Sequence, residues 1–389
     1  MDISEKVNEN MITVTEAVFT SSLPDLMTLD SGDKVVTKDD WTVRRKELIK
    51  TAVELQYGEL PPEPELVEVT KLHTCQYMKS PYIHMHTFLV KTGTIEKPFR
   101  FKLQVIIPDT DGEKHPVIVD GDQCWSYYMS EGFLSAALSK GIGWALFDRT
   151  VIADDVNGKG RRNGQIFETY EGLDCGALMA WAWGYKRAAD ALLKTGLPVD
   201  LNMIAFSGHS RGGKTALLAG ILDERASIVN PNGSGAGGAG CCRFEMKGQC
   251  EGGDPFRSET VDDLLNVFPF WFGPELMNYK SRADELPFDE HFLKALVAPR
   301  TLFISEAADD IWANPLGTLA TTRAAEPAFK LLGAEDNVFW YWRPGKHSHT
   351  RVDIEMLANV ILHKRDGAPL DGRMFAKPFR EELIKQAII

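Results

Sequence analysis

The chain has 389 residues, with 43 Lys+Arg against 55 Asp+Glu and a formal net charge of −12. That acidity excludes a protein that grips a nucleic-acid backbone, which needs a surplus of cations on its contact face. Hydrophobic residues make up 44% and charged residues 25%, the balance of a folded globular chain, and no apolar run is long enough to span a bilayer. The opening Met1-Asp2-Ile3-Ser4-Glu5-Lys6 has no basic segment followed by an apolar one. A cytoplasmic location is therefore expected, or a secreted one if a leader has been removed.

No repeat or low-complexity tract divides the chain, so one domain over 1–389 is expected, with residues 1–110 as an N-terminal elaboration. Residues 41–57 read as a helix, and 82–90 and 99–107 as strands of alternating pattern. From Pro116 onward, apolar runs at 116–119, 143–147, 203–206, 301–304 and 338–341 read as strands. Helical stretches at 176–193, 212–223, 316–332 and 352–364 lie among them. Alternation of this kind predicts an α/β fold, a mostly parallel central sheet flanked by helices in a three-layer αβα sandwich. Function is then expected at the carboxyl ends of the strands. The six cysteines, Cys75, Cys124, Cys175, Cys241, Cys242 and Cys250, form no C-x-x-C pair and have no histidine at ligand spacing. They read as mostly buried reduced thiols, and neither a metal nor an organic cofactor is expected.

The sharpest local feature is Gly208-His209-Ser210-Arg211-Gly212, a G-x-S-x-G between the strand 203–206 and a helix-forming segment. A nucleophile on so tight a strand-to-helix turn leaves no room for side chains two residues to either side, so glycine is required there. Such an elbow needs an acid and then a histidine later in the chain. His347 and His349 both follow the strand 338–341, and His347 is favoured because it directly follows the turn at Gly345. His291 is expected to fix loop structure. For the acid, Asp309 and Asp310 both follow the strand 301–304, with Glu306 the weaker candidate. One of the aspartates is equally suited to a turn or helix cap before Asn314-Pro315.

Arg211 and Lys214 place two cations within one turn of the serine, suited to an oxyanion or to an anionic or polyhydroxylated acyl group. On an acidic protein they suggest a basic pocket. Trp312 and Trp271 are candidate sugar-stacking platforms, with core packing the alternative for Trp271.

Ser-Arg-x-Gly-Lys at 210–214 resembles the signature of the glucuronoyl esterases, carbohydrate esterase family 15. Supporting stretches are 180–187, 268–272, 286–291, 298–300 and Gly345-Lys346-His347. The resemblance implies an α/β-hydrolase fold and cleavage of esters between (4-O-methyl)glucuronic acid on xylan and alcohols of lignin. It implies Ser210 as nucleophile, His347 as general base, Arg211 at the oxyanion, and Lys214, Glu259 and Trp312 on the uronate hydroxyls. Many members place the acid after the strand that follows the elbow helix, in a Glu-Ser-Gly context. Here that stretch, Asn230-Pro231-Asn232-Gly233-Ser234-Gly235, has no carboxylate. It resembles instead the bacterial subgroup with a later acid, which points to Asp310. The expected partner is a small-molecule or oligosaccharide uronate ester, with no nucleic acid and no membrane. An acetyl esterase using the same triad, and a non-catalytic sugar-binding homologue, are the alternatives.

Overall fold

The computed structural model describes residues 13–77, 82–109, 112–249 and 255–387. Nine strands form the central sheet. In chain order they are β2 (Leu66–Gln76), β3 (Ile83–Gly93), β4 (Pro98–Pro108), β5 (His115–Asp120), β6 (Gly143–Phe147), β7 (Val199–His209), β8 (Ala226–Asn232), β11 (Thr301–Ala307) and β12 (Val338–Arg343). Their spatial order is β12-β11-β8-β7-β5-β6-β4-β3-β2. The pairings from β12 through to β6 are parallel, and those linking β6, β4, β3 and β2 are antiparallel. A second sheet of β1 (Thr13–Phe19), β9 (Phe244–Gln249) and β10 (Pro255–Arg257) is antiparallel.

The parallel strands are apolar throughout because both of their faces are covered, and side chains alternate between the two. Val117, Val119, Ile204, Phe206, Leu302 and Ile304 join one core with Trp181 and Leu217, on the helices Ala177–Leu192 and Arg211–Leu222. Their neighbours Ile118, Ala205 and Phe303 face the opposite core with Phe133, Ile354 and Leu357, on Phe133–Leu138 and Arg351–Asp366. This is the expected three-layer arrangement.

Three features depart from the sequence reading. Part of the expected N-terminal elaboration of residues 1–110 is built into the central sheet, since β2, β3 and β4 are its antiparallel edge. The helix expected over 41–57 is α-helical over Lys38–Leu48 and then passes through a π-helical stretch, Ile49–Glu54. Cys75 is exposed rather than buried, while Cys175 and Cys241 are buried; Cys250 lies outside the described residues. No helix among the described residues is long and apolar enough to cross a membrane.

One side chain ties the strands that carry the site. Tyr185 Oη accepts a hydrogen bond from Gly121 N just past β5 and donates one to Ser207 O on β7, each at 2.8 Å. Tyr185→Phe leaves a buried amide and a buried carbonyl unpaired and is expected to cost about 1–3 kcal/mol. A shift in the denaturant midpoint at constant slope measures it.

Candidate active site

β7 ends at His209, and the chain turns through Ser210 at φ 57°, ψ −120° before the helix Arg211–Leu222 begins. A non-glycine residue in this region costs on the order of 1–3 kcal/mol and persists only where its surroundings over-determine it. Here they do: Ser210 N donates to Asn232 O at 3.0 Å and His209 N donates to Asp122 Oδ2 at 2.9 Å. A Cβ on Gly208 would collide with the Gly212 backbone, and one on Gly212 with both Asp122 carboxylate oxygens. Both glycines of the motif are therefore steric requirements.

His347 sits in the loop after β12. Its Nε2 lies 2.9 Å from Ser210 Oγ and its Nδ1 lies 2.5 Å from Asp310 Oδ2. This geometry sets the protonation pattern: Nδ1–H donates to the carboxylate, leaving Nε2 to accept the serine proton. The structure separates the three acid candidates. Asp310 faces the imidazole and also accepts from Ala313 N, acting as the cap of the Ile311–Ala313 turn. Asp309 instead accepts from Gly345 N at 2.9 Å and braces the histidine loop. Glu306 is fully buried, and burial followed by the nearby Asp310 charge pushes its pKa well above the usual carboxylate range. Neither of its carboxyl oxygens reaches a hydrogen-bond partner among the described residues, and the imidazole's Nδ1 is taken by Asp310.

The other histidines take structural places. His291 Nε2 donates to Pro24 O at 3.0 Å, and burial lowers its pKa to about 4. His349 is buried behind the site, with its pKa also lowered by burial.

A cavity of about 290 Å³ opens beside Ser210 and His347, bounded by Arg211, Lys214, Glu259 and Trp312 among others. A larger cavity of about 990 Å³ lies between the 54–62 and 169–174 segments, but its lining holds no serine–histidine pair. Lys214 is buried, and its three ammonium protons reach Ser234 O at 2.5 Å, Ala236 O at 2.6 Å and Glu259 Oε2 at 3.2 Å. Arg211 Nη1 donates to Asp155 Oδ2 at 3.0 Å, and its guanidinium lies over the rings of Trp125, Phe268 and Trp271. The expected basic pocket is thus a pair of neutralised cations, each with its own carboxylate. Trp271 is 3% exposed, stacked on Phe268 at 4.0 Å and bonded through Nε1 to Asp155 Oδ1, so core packing accounts for most of its surface. Trp312 is 37% exposed and lines the cavity, with Phe256 beside its ring at 6.3 Å.

Sequence reasoning missed the charges beneath the elbow. Arg149, 0% exposed, pairs with Asp122, and its other nitrogen lies 3.8 Å from Asp155 Oδ2. A signal was present: Asp120-Gly121-Asp122 ends β5 and Asp148-Arg149 follows β6, both at carboxyl ends of parallel strands.

A serine on a strained strand-to-helix turn, joined through a histidine to an aspartate on a sheet of this order, is the arrangement of the α/β-hydrolase class. A family model described as "Glucuronyl esterase, fungi" matches residues 90–333. The 4-O-methyl-glucuronoyl methylesterase of Podospora anserina is 31% identical over 361 residues, 89% of this chain and 69% of that protein. That of Hypocrea jecorina is 30% identical over 331 residues, 85% of this chain and 66% of that protein. Among solved structures, a carbohydrate esterase family 15 glucuronoyl esterase from Caldicellulosiruptor kristjansonii superposes with a TM-score of 0.77 at 28% identity, covering 93% of this chain and 95% of that one. The catalytic domain of the Hypocrea jecorina glucuronoyl esterase gives 0.74 at 26% identity, covering 95% of each. The chain belongs to the glucuronoyl esterase family, and its fold is the α/β-hydrolase fold. The cytoplasmic expectation draws no support from these relatives.

Gly212→Ala sets a methyl group against the Asp122 carboxylate. It is expected to lower esterase activity by at least about a hundredfold through misplacement of Ser210, with far-ultraviolet circular dichroism unchanged.

Proposed function

We propose that the chain is a serine esterase that hydrolyses esters of (4-O-methyl)glucuronic acid through an acyl-enzyme, with the described residues acting as one hydrolase domain. The observation that carries this reading is the pair of bonds made by His347, to Ser210 and to Asp310, at the mouth of the cavity bounded by Lys214, Glu259 and Trp312. Ser210 Oγ, giving its proton to His347 Nε2, attacks the ester carbonyl. The backbone N–H groups of the first helical turn after Ser210 have no intrahelical partner and point toward the oxyanion. Arg211 adds a cation held in place by Asp155 and three aromatic rings. His347 then protonates the leaving alcohol, and in the second half it activates water to release the free uronate.

In this reading Trp312 stacks on the sugar ring. Glu259 offers the uronate hydroxyls its second carboxylate oxygen, because Oε2 is engaged by Lys214. Lys214 acts mainly by fixing Glu259 and the Ser234–Ala236 carbonyls, since its protons are already shared among three acceptors. The relatives' named substrates, 4-O-methyl-glucuronoyl methyl esters, fit a site of this composition. An acetyl esterase with the same triad would have no use for the cations, the carboxylate and the tryptophan around an acyl group of two carbons.

The test is a panel of glucuronate, galacturonate and acetyl esters at matched concentration. Glucuronate esters are expected to be hydrolysed fastest, and a preference for acetyl esters would overturn the assignment. Ser210→Ala is expected to abolish turnover. Asp310→Asn is expected to cost about 10³–10⁴-fold in kcat by removing the anion that orients His347. Full activity in Asp310→Asn with loss in Asp309→Asn would place the acid at 309 instead.

A further inference from the structure

The residue before the nucleophile is itself a histidine. His209 is 2% exposed, and its ring centroid lies 4.6 Å from that of His347. His349 stacks on it at 5.4 Å and 20°, and Tyr127 meets it edge-on at 5.2 Å. His209 Nδ1 lies 2.6 Å from Asn232 Oδ1.

The surrounding bonds fix its tautomer. Asn232 Nδ2 donates to Ser305 Oγ at 2.7 Å and Ser305 O at 3.2 Å, so the oxygen of the amide faces His209 and can only accept. The proton is therefore on Nδ1. Nε2 keeps a lone pair that, among the described residues, is buried without a hydrogen-bond partner. Burial, reinforced by His349 and His347, drives the ring's pKa well below the ordinary imidazole value. Asn232 belongs to a longer buried chain: Ser207 Oγ donates to Asn230 Oδ1 at 2.9 Å, and Asn230 Nδ2 donates to Phe303 O at 2.8 Å and Ser305 Oγ at 3.0 Å. These bonds cross from β7, which leads to the serine, through β8 to β11, which leads to Asp310.

We propose that His209 is a positioning residue for His347: fixed as the Nδ1–H tautomer by the Asn232–Ser305 bonds, it presents an uncharged ring face against which the base rests. The proposal relies on His347 being the general base. The catalytic imidazole sits in a loop and is 36% exposed on its side chain, and its bonds to Asp310 and Ser210 lie at opposite ends of the ring, leaving it free to rotate about the line that joins them. The contact with His209 removes that freedom. Its neutrality matters because His347 becomes a cation during each half-reaction, and a second charged imidazole at 4.6 Å would oppose it. The groups that face or bias His209 are Asn232 on β8, Asp122 after β5, Tyr127, Arg343 on β12, and His347 and His349 in the loop that follows.

The experiment measures kcat and KM on methyl glucuronate for His209→Leu, Asn232→Ala and the double variant, with melting temperatures recorded. His209→Leu is expected to lower kcat at least about tenfold with KM within about twofold, the signature of misplacement rather than lost binding. Asn232→Ala is expected to lower kcat by less, again with KM little changed, and the double variant to be no worse than His209→Leu, since both act through one ring. If His209→Leu does not fold, His209→Phe, which keeps a ring but loses the tether, is expected to match Asn232→Ala. Unchanged kcat with only a lower melting temperature would overturn the proposal, as would losses that multiply in the double variant. An active Ser210→Ala would overturn the assignment of the nucleophile instead.

Discussion

The site depends on the buried pair of Asp122 and Arg149. One oxygen of Asp122 accepts from the guanidinium and the other from His209 N, while both lie where a Cβ on Gly212 would be. The carboxylate is thus the floor against which the elbow is bent, and it holds Ser210 at positive φ. An anion in this position with no partner would be driven out or neutralised, since removing one member of a buried pair costs roughly 3–5 kcal/mol. Arg149 is the partner, and it extends the same logic outward: Arg149 to Asp155, Asp155 to Arg211, Arg211 to the edge of the cavity. Charges of alternating sign therefore run from beneath Ser210 to the edge of the cavity beside it.

That chain changes the meaning of the protein's net charge. The sequence suggests a basic pocket on an acidic protein, yet both cations beside Ser210 arrive already neutralised, Arg211 by Asp155 and Lys214 by Glu259. A site of fixed ion pairs is preorganised: its dipoles are set before the substrate enters and need no reorganisation as charge develops on the carbonyl oxygen. It also suits a substrate that is a neutral ester with several hydroxyls better than it suits a bare anion, because paired charges offer donors and acceptors without a large uncompensated field.

Five of the six parallel strands, the long covering helices and the elbow were legible in the sequence because they rest on local rules: apolar runs of strand length, helical periodicity, and glycines flanking a serine between a strand and a helix; β8 was not, because its apolar run is short and ends in Asn230-Pro231-Asn232, nor was the short helix Phe133–Leu138. The placement of His347 beside Ser210 was legible for the same reason, from its position after a strand. The choice between Asp309 and Asp310 was not, because adjacent aspartates in one turn differ only in the direction each side chain takes, and the fold sends one to Gly345 and the other to the imidazole. Asp122, Arg149 and Asp155 were missed because their roles arise from partners far away in sequence. The edge strands β2 to β4 were read as an appendage because their antiparallel pairing departs from the βα rhythm that follows.

The central claim is that a single serine, Ser210, acts at a site shaped for a uronate. Labelling with a fluorophosphonate, followed by peptide mapping, tests both halves at once when it is repeated in the presence of excess methyl glucuronate. One label is expected, on the peptide containing Ser210, formed more slowly when the glucuronate ester is present. A label on another residue, or a rate at Ser210 that the glucuronate ester leaves unchanged, would contradict it.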